Sequence, residues 1–171
     1  MAATPILYVG LDLGTSGCRA VATDAEGRVH GEAAVPMAPP ERDGARVEQA
    51  PAVWWTAVEA CLDALFTTVP AGAVAALAVD GTSGTILLVD AAGEPVGPAL
   101  LYNDGRASEE AAALARGAPR TSAAHGTGSG LAKLLWLLRH GPRGGAVRVL
   151  NQADWVAGRL RGRFDTTDAN N

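Results

Sequence analysis

The first 36 residues alternate short apolar segments with tight polar turns, and that rhythm restricts the fold more than any other feature of the chain. Residues 6–11 are a continuous apolar run that ends at Asp12 and is bounded by Gly14 and Gly17, as expected for a buried strand. In residues 17–24, Arg19, Val21 and Thr23 alternate with Cys18, Ala20 and Ala22, which reads as a second strand. Ala25-Glu26-Gly27 forms a turn, and residues 29–35 read as a third strand. Three strands joined by two short turns predict an antiparallel meander. The glycine turn at residue 14 therefore leads into a strand and not a helix, which excludes a doubly wound dinucleotide-binding fold.

The remainder mixes helices with strands. Residues 36–51 hold four prolines and several charges and are expected to form a surface loop. A helix is expected from Pro51, with Trp54, Val58, Cys61, Leu62, Leu65 and Val69 on one face and Pro70 as its stop. Strands are expected over residues 73–79, 86–89 and 99–102, with a turn at 91–94. Residues 108–116 predict an exposed helix with Glu109 and Glu110 near its N-terminus, where the helix dipole favours them. Residues 117–130 read as a polar loop. Residues 131–140 predict an amphipathic helix closed by Gly141-Pro142, residues 147–150 a short strand, and residues 153–160 a helix ending near Gly162. The order is that of a mixed α/β layered domain, and length alone suggests one such domain.

Lys133 is the single lysine, against 13 arginines. A Walker P-loop needs a lysine between glycine and Ser or Thr, and a protein kinase needs one on an early strand. Lys133 lies in the apolar run Leu131-Ala132-Lys133-Leu134 and fits neither, so nucleotide chemistry would require another scaffold. Net charge is −4 with no basic stripe, so no nucleic-acid partner is expected. Cys18 and Cys61 are isolated, which suits a reducing compartment, and His30, His125 and His140 lack metal-ligand spacing. Residues 1–5 do not resemble a signal peptide and no apolar run is long enough to span a bilayer, so a cytoplasmic protein without a membrane partner is expected.

Three polar turns carry candidate chemistry. In Asp12-Leu13-Gly14-Thr15-Ser16-Gly17, a carboxylate at the end of a strand meets a glycine bend with two hydroxyls. Successive N–H groups in such a bend form an anion site, and Asp12 suits Mg²⁺ held against a phosphate. The same residues also suit a hairpin turn whose Asp and Thr only cap the backbone. Asp80-Gly81-Thr82-Ser83-Gly84-Thr85 repeats the small, polar, glycine-flanked theme; Thr82 or Ser83 can hydrogen-bond a hydroxylated ligand, or the segment is a plain connection. Tyr102-Asn103-Asp104-Gly105-Arg106 combines an aromatic face with polar groups, as sugar sites do, and equally suits a turn before a helix.

These segments, taken in order, resemble the N-terminal domain of the FGGY carbohydrate kinases, within the actin-like, ribonuclease-H-like ATPase superfamily. The resemblance rests on Tyr8-Val9-Gly10-Leu11-Asp12-Leu13-Gly14-Thr15-Ser16, on Leu101-Tyr102-Asn103-Asp104-Gly105-Arg106, and on Lys133-Leu134-Leu135-Trp136-Leu137. It also includes Ala153-Asp154-Trp155-Val156-Ala157-Gly158-Arg159-Leu160 with Thr167-Asp168-Ala169-Asn170-Asn171. It implies a ribonuclease-H-like α/β domain whose mixed sheet starts with the antiparallel meander and is flanked by helices. It implies phosphorylation of a sugar with ATP and Mg²⁺ as cofactors. Asp12 would serve the metal and the reacting hydroxyl, with Gly14, Thr15, Ser16 and Gly17 near the phosphates. Ser83, Thr82, Asn103 and Asp104 would lie near the sugar.

Within the family, the Ser83 turn and Tyr102 look most like the D-ribulose kinase group. Xylulose kinases tend to carry Met-His and Trp at those places, so D-ribulose is expected over D-xylulose. The resemblance also implies that the chain is an N-terminal part, inactive alone, of a longer protein whose second domain carries the catalytic base and the adenine site. Two other readings remain at this point: a non-catalytic domain that binds a partner or ligand, and a two-metal nuclease using Asp12 and Asp80.

Overall fold

The structure, a computed structural model, describes residues 5–122, 124–142 and 144–167. In chain order its elements are β1 (Leu7–Leu13), β2 (Gly17–Thr23), β3 (Val29–Pro36), β4 (Glu41–Asp43), β5 (Arg46–Gln49) and α1 (Pro51–Phe66). There follow β6 (Val74–Gly81), β7 (Ile86–Val89), β8 (Ala99–Leu100), α2 (Ser108–Ala115), α3 (Gly130–His140), β9 (Arg148–Asn151) and α4 (Gln152–Arg161). A 3-10 turn, Ala71–Ala73, precedes β6. The chain divides into two compact units, residues 1–39 with 52–81, and residues 40–51 with 82–171.

The first unit is built on a mixed sheet in the order β3-β2-β1-β6. The expected meander is present: β1 pairs antiparallel with β2, and β2 with β3. The strict alternation of β1 buries Leu7, Val9, Leu11 and Leu13, and β2 buries Cys18, Ala20 and Ala22. Each fully buried leucine contributes about 1.5–3 kcal/mol. The apolar face of α1, expected from its spacing, is buried at Trp54, Val58, Cys61, Leu65 and Val69. Its Cys61 thiol reaches the carbonyls of Cys18 (3.6 Å) and Ala33 (3.5 Å), seating the helix on β2 and β3. The strand β6 runs parallel to β1.

The second unit carries an antiparallel sheet in the order β4-β5-β8-β7-β9. Here the expected loop at 36–51 needs correction, because it contains the hairpin β4–β5 turning at Gly44 (φ +55°). Prolines and charges hid it: all three residues of β4 are exposed, so no alternation marks a strand, while β5 buries Val47, Glu48 and Gln49. The helix α2 also departs from an exposed reading, since Glu110 is buried and accepts a 2.8 Å hydrogen bond from Arg139 Nη1 on α3. An apolar cluster of Ile86, Leu88, Leu100 and Leu137 joins β7, β8 and α3. The small residues Ala107, Ala111 and Ala132 let α2 and α3 approach closely. The Ser129 hydroxyl caps α3, and Gly162 (φ +71°) ends α4 at its expected place. Asp154 on α4 accepts from Thr167 Oγ1 at 2.7 Å; the rest of the tail motif, Asp168 to Asn171, lies outside the described residues.

Candidate functional site

In the first unit, β1 ends at Leu13 and the chain bends through residues 14–17 into β2. Gly14 N–H donates to Gly17 O at 3.1 Å, and Met37 N–H donates to Ser16 O at 2.9 Å, which ties the bend to the end of β3. A Cβ at Gly17 would stand 2.8 Å from Val35 O, so close strand approach excludes a side chain there. Thr15 is half-buried, and Ser16 and Asp12 are exposed. Cys18, just past the bend, is fully buried; burial first, then the nearby Cys61, pushes its thiol up to about 12. It remains a protonated thiol and acts as a small hydrophobe.

The parallel register places Asp12 of β1 beside Asp80 of β6, and Leu13 beside Gly81. Both carboxylates are exposed and sit at the carboxyl ends of neighbouring parallel strands, the usual ligand-binding edge of an α/β sheet. Two adjacent like charges repel, and a hard cation relieves that repulsion. Among the described residues no group of three or more His, Cys, Asp or Glu converges as a metal cage. A two-carboxylate donor set suits Mg²⁺, which usually takes one or two carboxylates and completes its shell with water and substrate phosphate.

In the second unit, Thr82, Ser83 and Gly84 form a turn before β7, closed by Thr85 N–H donating to Thr82 O at 3.2 Å. Gly84 takes φ +74°, and a Cβ there would meet Gly128 O at 2.7 Å. Ser83 is exposed. Thr82 N–H donates to Gln152 Oε1 at 2.8 Å, and the buried Thr85 hydroxyl accepts from Tyr102 N–H at 3.1 Å. The first ties the Ser83 turn to the start of α4, and the second brings it together with the Tyr102-Asn103 segment. Tyr102 and Asn103 are exposed, and Asn103, with its amide oxygen turned outward to Arg42, accepts from that guanidinium at 3.2 and 3.3 Å.

Asp104 differs from its neighbours. It is fully buried, and its carboxylate accepts from Val47 N–H (2.8 Å), Arg106 N–H (3.1 Å), Arg106 Nε (3.0 Å) and Arg106 Nη2 (2.7 Å). Arg106 also donates to Glu48 at 2.6 Å and stacks over Trp136 with its guanidinium carbon 4.3 Å from the ring centroid. Arg46 grips the other oxygen of Glu48 at 2.7 Å. Asp104 thus locks the segment to β5, a role that its polar, turn-like setting in the sequence did not separate from ligand contact. Thr85, Gln152 and Glu48 were also missed as supports of these segments, whereas Lys133, expected to cap a loop, does so on three backbone carbonyls. The one available signal was a lone lysine inside an apolar helical run.

The family model describing the N-terminal domain of the FGGY carbohydrate kinases matches residues 7–171. The chain belongs to the FGGY family of carbohydrate kinases. Like this FGGY chain, a xylulose kinase from Escherichia coli K12 is a relative at 31% identity over 171 residues, covering 95% of this chain and 35% of its own length. A xylulose kinase from Streptomyces coelicolor is 33% identical over 174 residues, covering 95% of this chain and 35% of its own. An erythritol kinase from Brucella abortus is 35% identical over 127 residues, 73% of this chain and 24% of its own. Among solved structures, a xyloylose kinase from Brucella ovis superposes with TM-score 0.82 at 30% identity, covering 89% of this chain and 34% of its own. The FGGY chain therefore spans about a quarter to a third of the length of these relatives, and it shares the actin-like ATPase fold of the family. No helix among the described residues is long and apolar enough to cross a membrane.

Proposed function

We propose that this FGGY chain carries the phosphate-side and sugar-side turns of an ATP-dependent, Mg²⁺-dependent kinase acting on a ketopentose. The observation that carries the reading is the lateral pairing of Asp12 with Asp80, just before the hydroxyl-lined bend. In this reading Asp12 holds the metal and faces the reacting hydroxyl. The bend from Gly14 to Gly17 receives the phosphates of ATP through the Thr15 and Ser16 hydroxyls and the N–H groups beyond Gly14, whose own N–H closes the bend on Gly17 O. Thr82, Ser83 and Asn103 orient the sugar. Asp104, whose oxygens are taken by Val47 and Arg106, supports that contact instead of making it. When bound, Mg²⁺ neutralises the charge spread over the transferring phosphoryl oxygens. The chain's own contribution is positioning and charge complementarity for in-line transfer to a primary hydroxyl. Both cysteines are free and buried, which fits a reducing cytoplasm.

Ser83 and Tyr102 favour D-ribulose as the acceptor, whereas the names of the relatives favour D-xylulose. Steady-state phosphorylation of D-ribulose, D-xylulose and erythritol by the whole protein decides between them. D-ribulose is expected to give the highest kcat/KM. A preference for D-xylulose overturns the sugar assignment and keeps the kinase reading. Absence of ATP turnover with all three overturns the kinase reading in favour of a binding domain.

A further inference from the structure

Lys133, the sole lysine of the chain, is completely buried on α3. Its ammonium donates to three backbone carbonyls: Gly84 O at 2.7 Å, Tyr102 O at 2.9 Å and Gly128 O at 3.3 Å. An ammonium has three protons, so these acceptors fill its donor capacity and leave none for phosphate or sugar. The three carbonyls come from three separate segments of the second unit. One is the turn that bears Thr82 and Ser83, one is the loop that bears Tyr102 and Asn103, and one is the loop leading into α3.

Packing alone does not explain the charge. A buried ammonium pays a desolvation penalty of several kcal/mol, and an apolar side chain of the same length would fill the space without it. Burial pulls this ammonium down to about 8, with Asp104 opposing the shift. What the charge adds is three directed bonds that hold the Gly128 loop against the Ser83 turn and the Tyr102 loop, which leave β7 and β8 beyond their Ile86–Leu100 pairing. One helical turn on, Trp136 carries Arg106, which holds the Tyr102 loop from its other end through Asp104. The Lys-x-x-Trp face of α3 thus grips that loop at both ends.

We propose that Lys133 is a positioning residue for the sugar, fixing the Ser83 turn, the Tyr102-Asn103 segment and the Gly128 loop in one arrangement without touching the ligand. The proposal rests on the kinase reading above and on Ser83 as a sugar contact. In the whole protein, Lys133→Met is expected to lower kcat/KM for the ketopentose about tenfold to a hundredfold, through a raised sugar KM, with the KM for ATP unchanged. Lys133→Arg, which keeps a charged donor, is expected to recover part of the loss. Amide hydrogen exchange is expected to quicken together at residues 84–85, 102–104 and 126–129 in Lys133→Met, and to stay constant at residues 14–17.

A purely structural lysine would lower the melting temperature and leave the sugar KM of the folded protein where it was; that result overturns the proposal. Exchange that quickens in a protein phosphorylating no sugar overturns the kinase reading and retains the clamp. If the methionine variant does not fold, acylation of the wild-type Lys133 amine, read by peptide mass, supplies the answer. Ketopentose is expected to slow that acylation, and equal rates with and without the sugar overturn the proposal.

Discussion

Gly14-Thr15-Ser16-Gly17 and Gly81-Thr82-Ser83-Gly84 are the same tetrapeptide, each with an aspartate close before it, and the two are built in different ways. The first links two strands of one hairpin, and its closing glycine runs on in extended backbone as Gly17 of β2, opposite β3. Its supports are main-chain bonds and strand pairing. The second joins one compact unit to the next, and its closing glycine sits at φ +74°. Besides its own Thr85 N–H to Thr82 O bond, it is held by side chains remote in sequence, Gln152 and Lys133, while the adjacent Thr85 hydroxyl takes the Tyr102 N–H and the Arg106 network stands behind the adjoining loop. The comparison teaches that a four-residue sequence does not choose its own backbone here. The residues that pair with it do.

That contrast can be broken at several points. The largest effect is expected at the main-chain-supported bend. Asp12→Ala in the whole protein should lower phosphoryl transfer by about 10²–10³-fold or more. The exposed Asp12 bears little of the packing, so the thermal melt should stay close to wild type; substantial retained turnover removes Asp12 from the mechanism.

Next comes the side-chain-supported segment. Arg106→Ala leaves the buried Asp104 without its guanidinium, held only by backbone N–H groups, and should destabilise the protein by about 3–5 kcal/mol in denaturant unfolding. A loss below 1 kcal/mol on that scale would mean that the network is dispensable and that the contrast is overdrawn.

Glycine substitutions sharpen the difference between the two bends. Gly17→Ala and Gly84→Ala each place a Cβ against a backbone carbonyl, Val35 O at 2.8 Å and Gly128 O at 2.7 Å. Each should lose about 1–3 kcal/mol by overpacking. Gly84→Ala carries the additional strain of its left-handed backbone, so it should be the worse of the two by thermal melt. Equal losses would place the whole penalty in the close approach.

The smallest effect concerns acid stability of the first unit. Asp24 at the β2–β3 turn is held down to about 2, from an ordinary 3.8, first by its hydrogen bond to His30 and then by the Arg28 N–H. A lowered carboxyl stabilises the fold fully above the ordinary value and loses that contribution as pH falls through the folded one. The gap in stability between wild type and Asp24→Asn should therefore be present above about pH 4 and close between about pH 4 and pH 2. A gap that does not vary over that range removes the linkage.

Much of the fold was readable from local pattern. The meander followed from alternation in residues 17–24 and from the apolar run before Asp12. The buried face of α1 followed from the spacing of Trp54, Val58, Cys61 and Leu65, and the ends of α3 and α4 from Gly141 and Gly162. The hairpin β4–β5 was not readable, because it carries charge where a strand usually shows alternation, and its Glu48 is buried only because Arg46 and Arg106 neutralise it. Asp104 was readable as important and not as buried, since a carboxylate held by a distant N–H looks in sequence like one facing water.

By itself the chain's order of residues determined most of the strands, the apolar face of α1 and the small polar bends, because these depend on periodicity and on backbone freedom within a few residues. Only the tertiary structure decided which carboxylates stand side by side, which lie inside, and what the lone lysine holds. Those outcomes depend on strand register and on contacts between segments separated by 31, 49 or 57 positions, which no local spacing encodes.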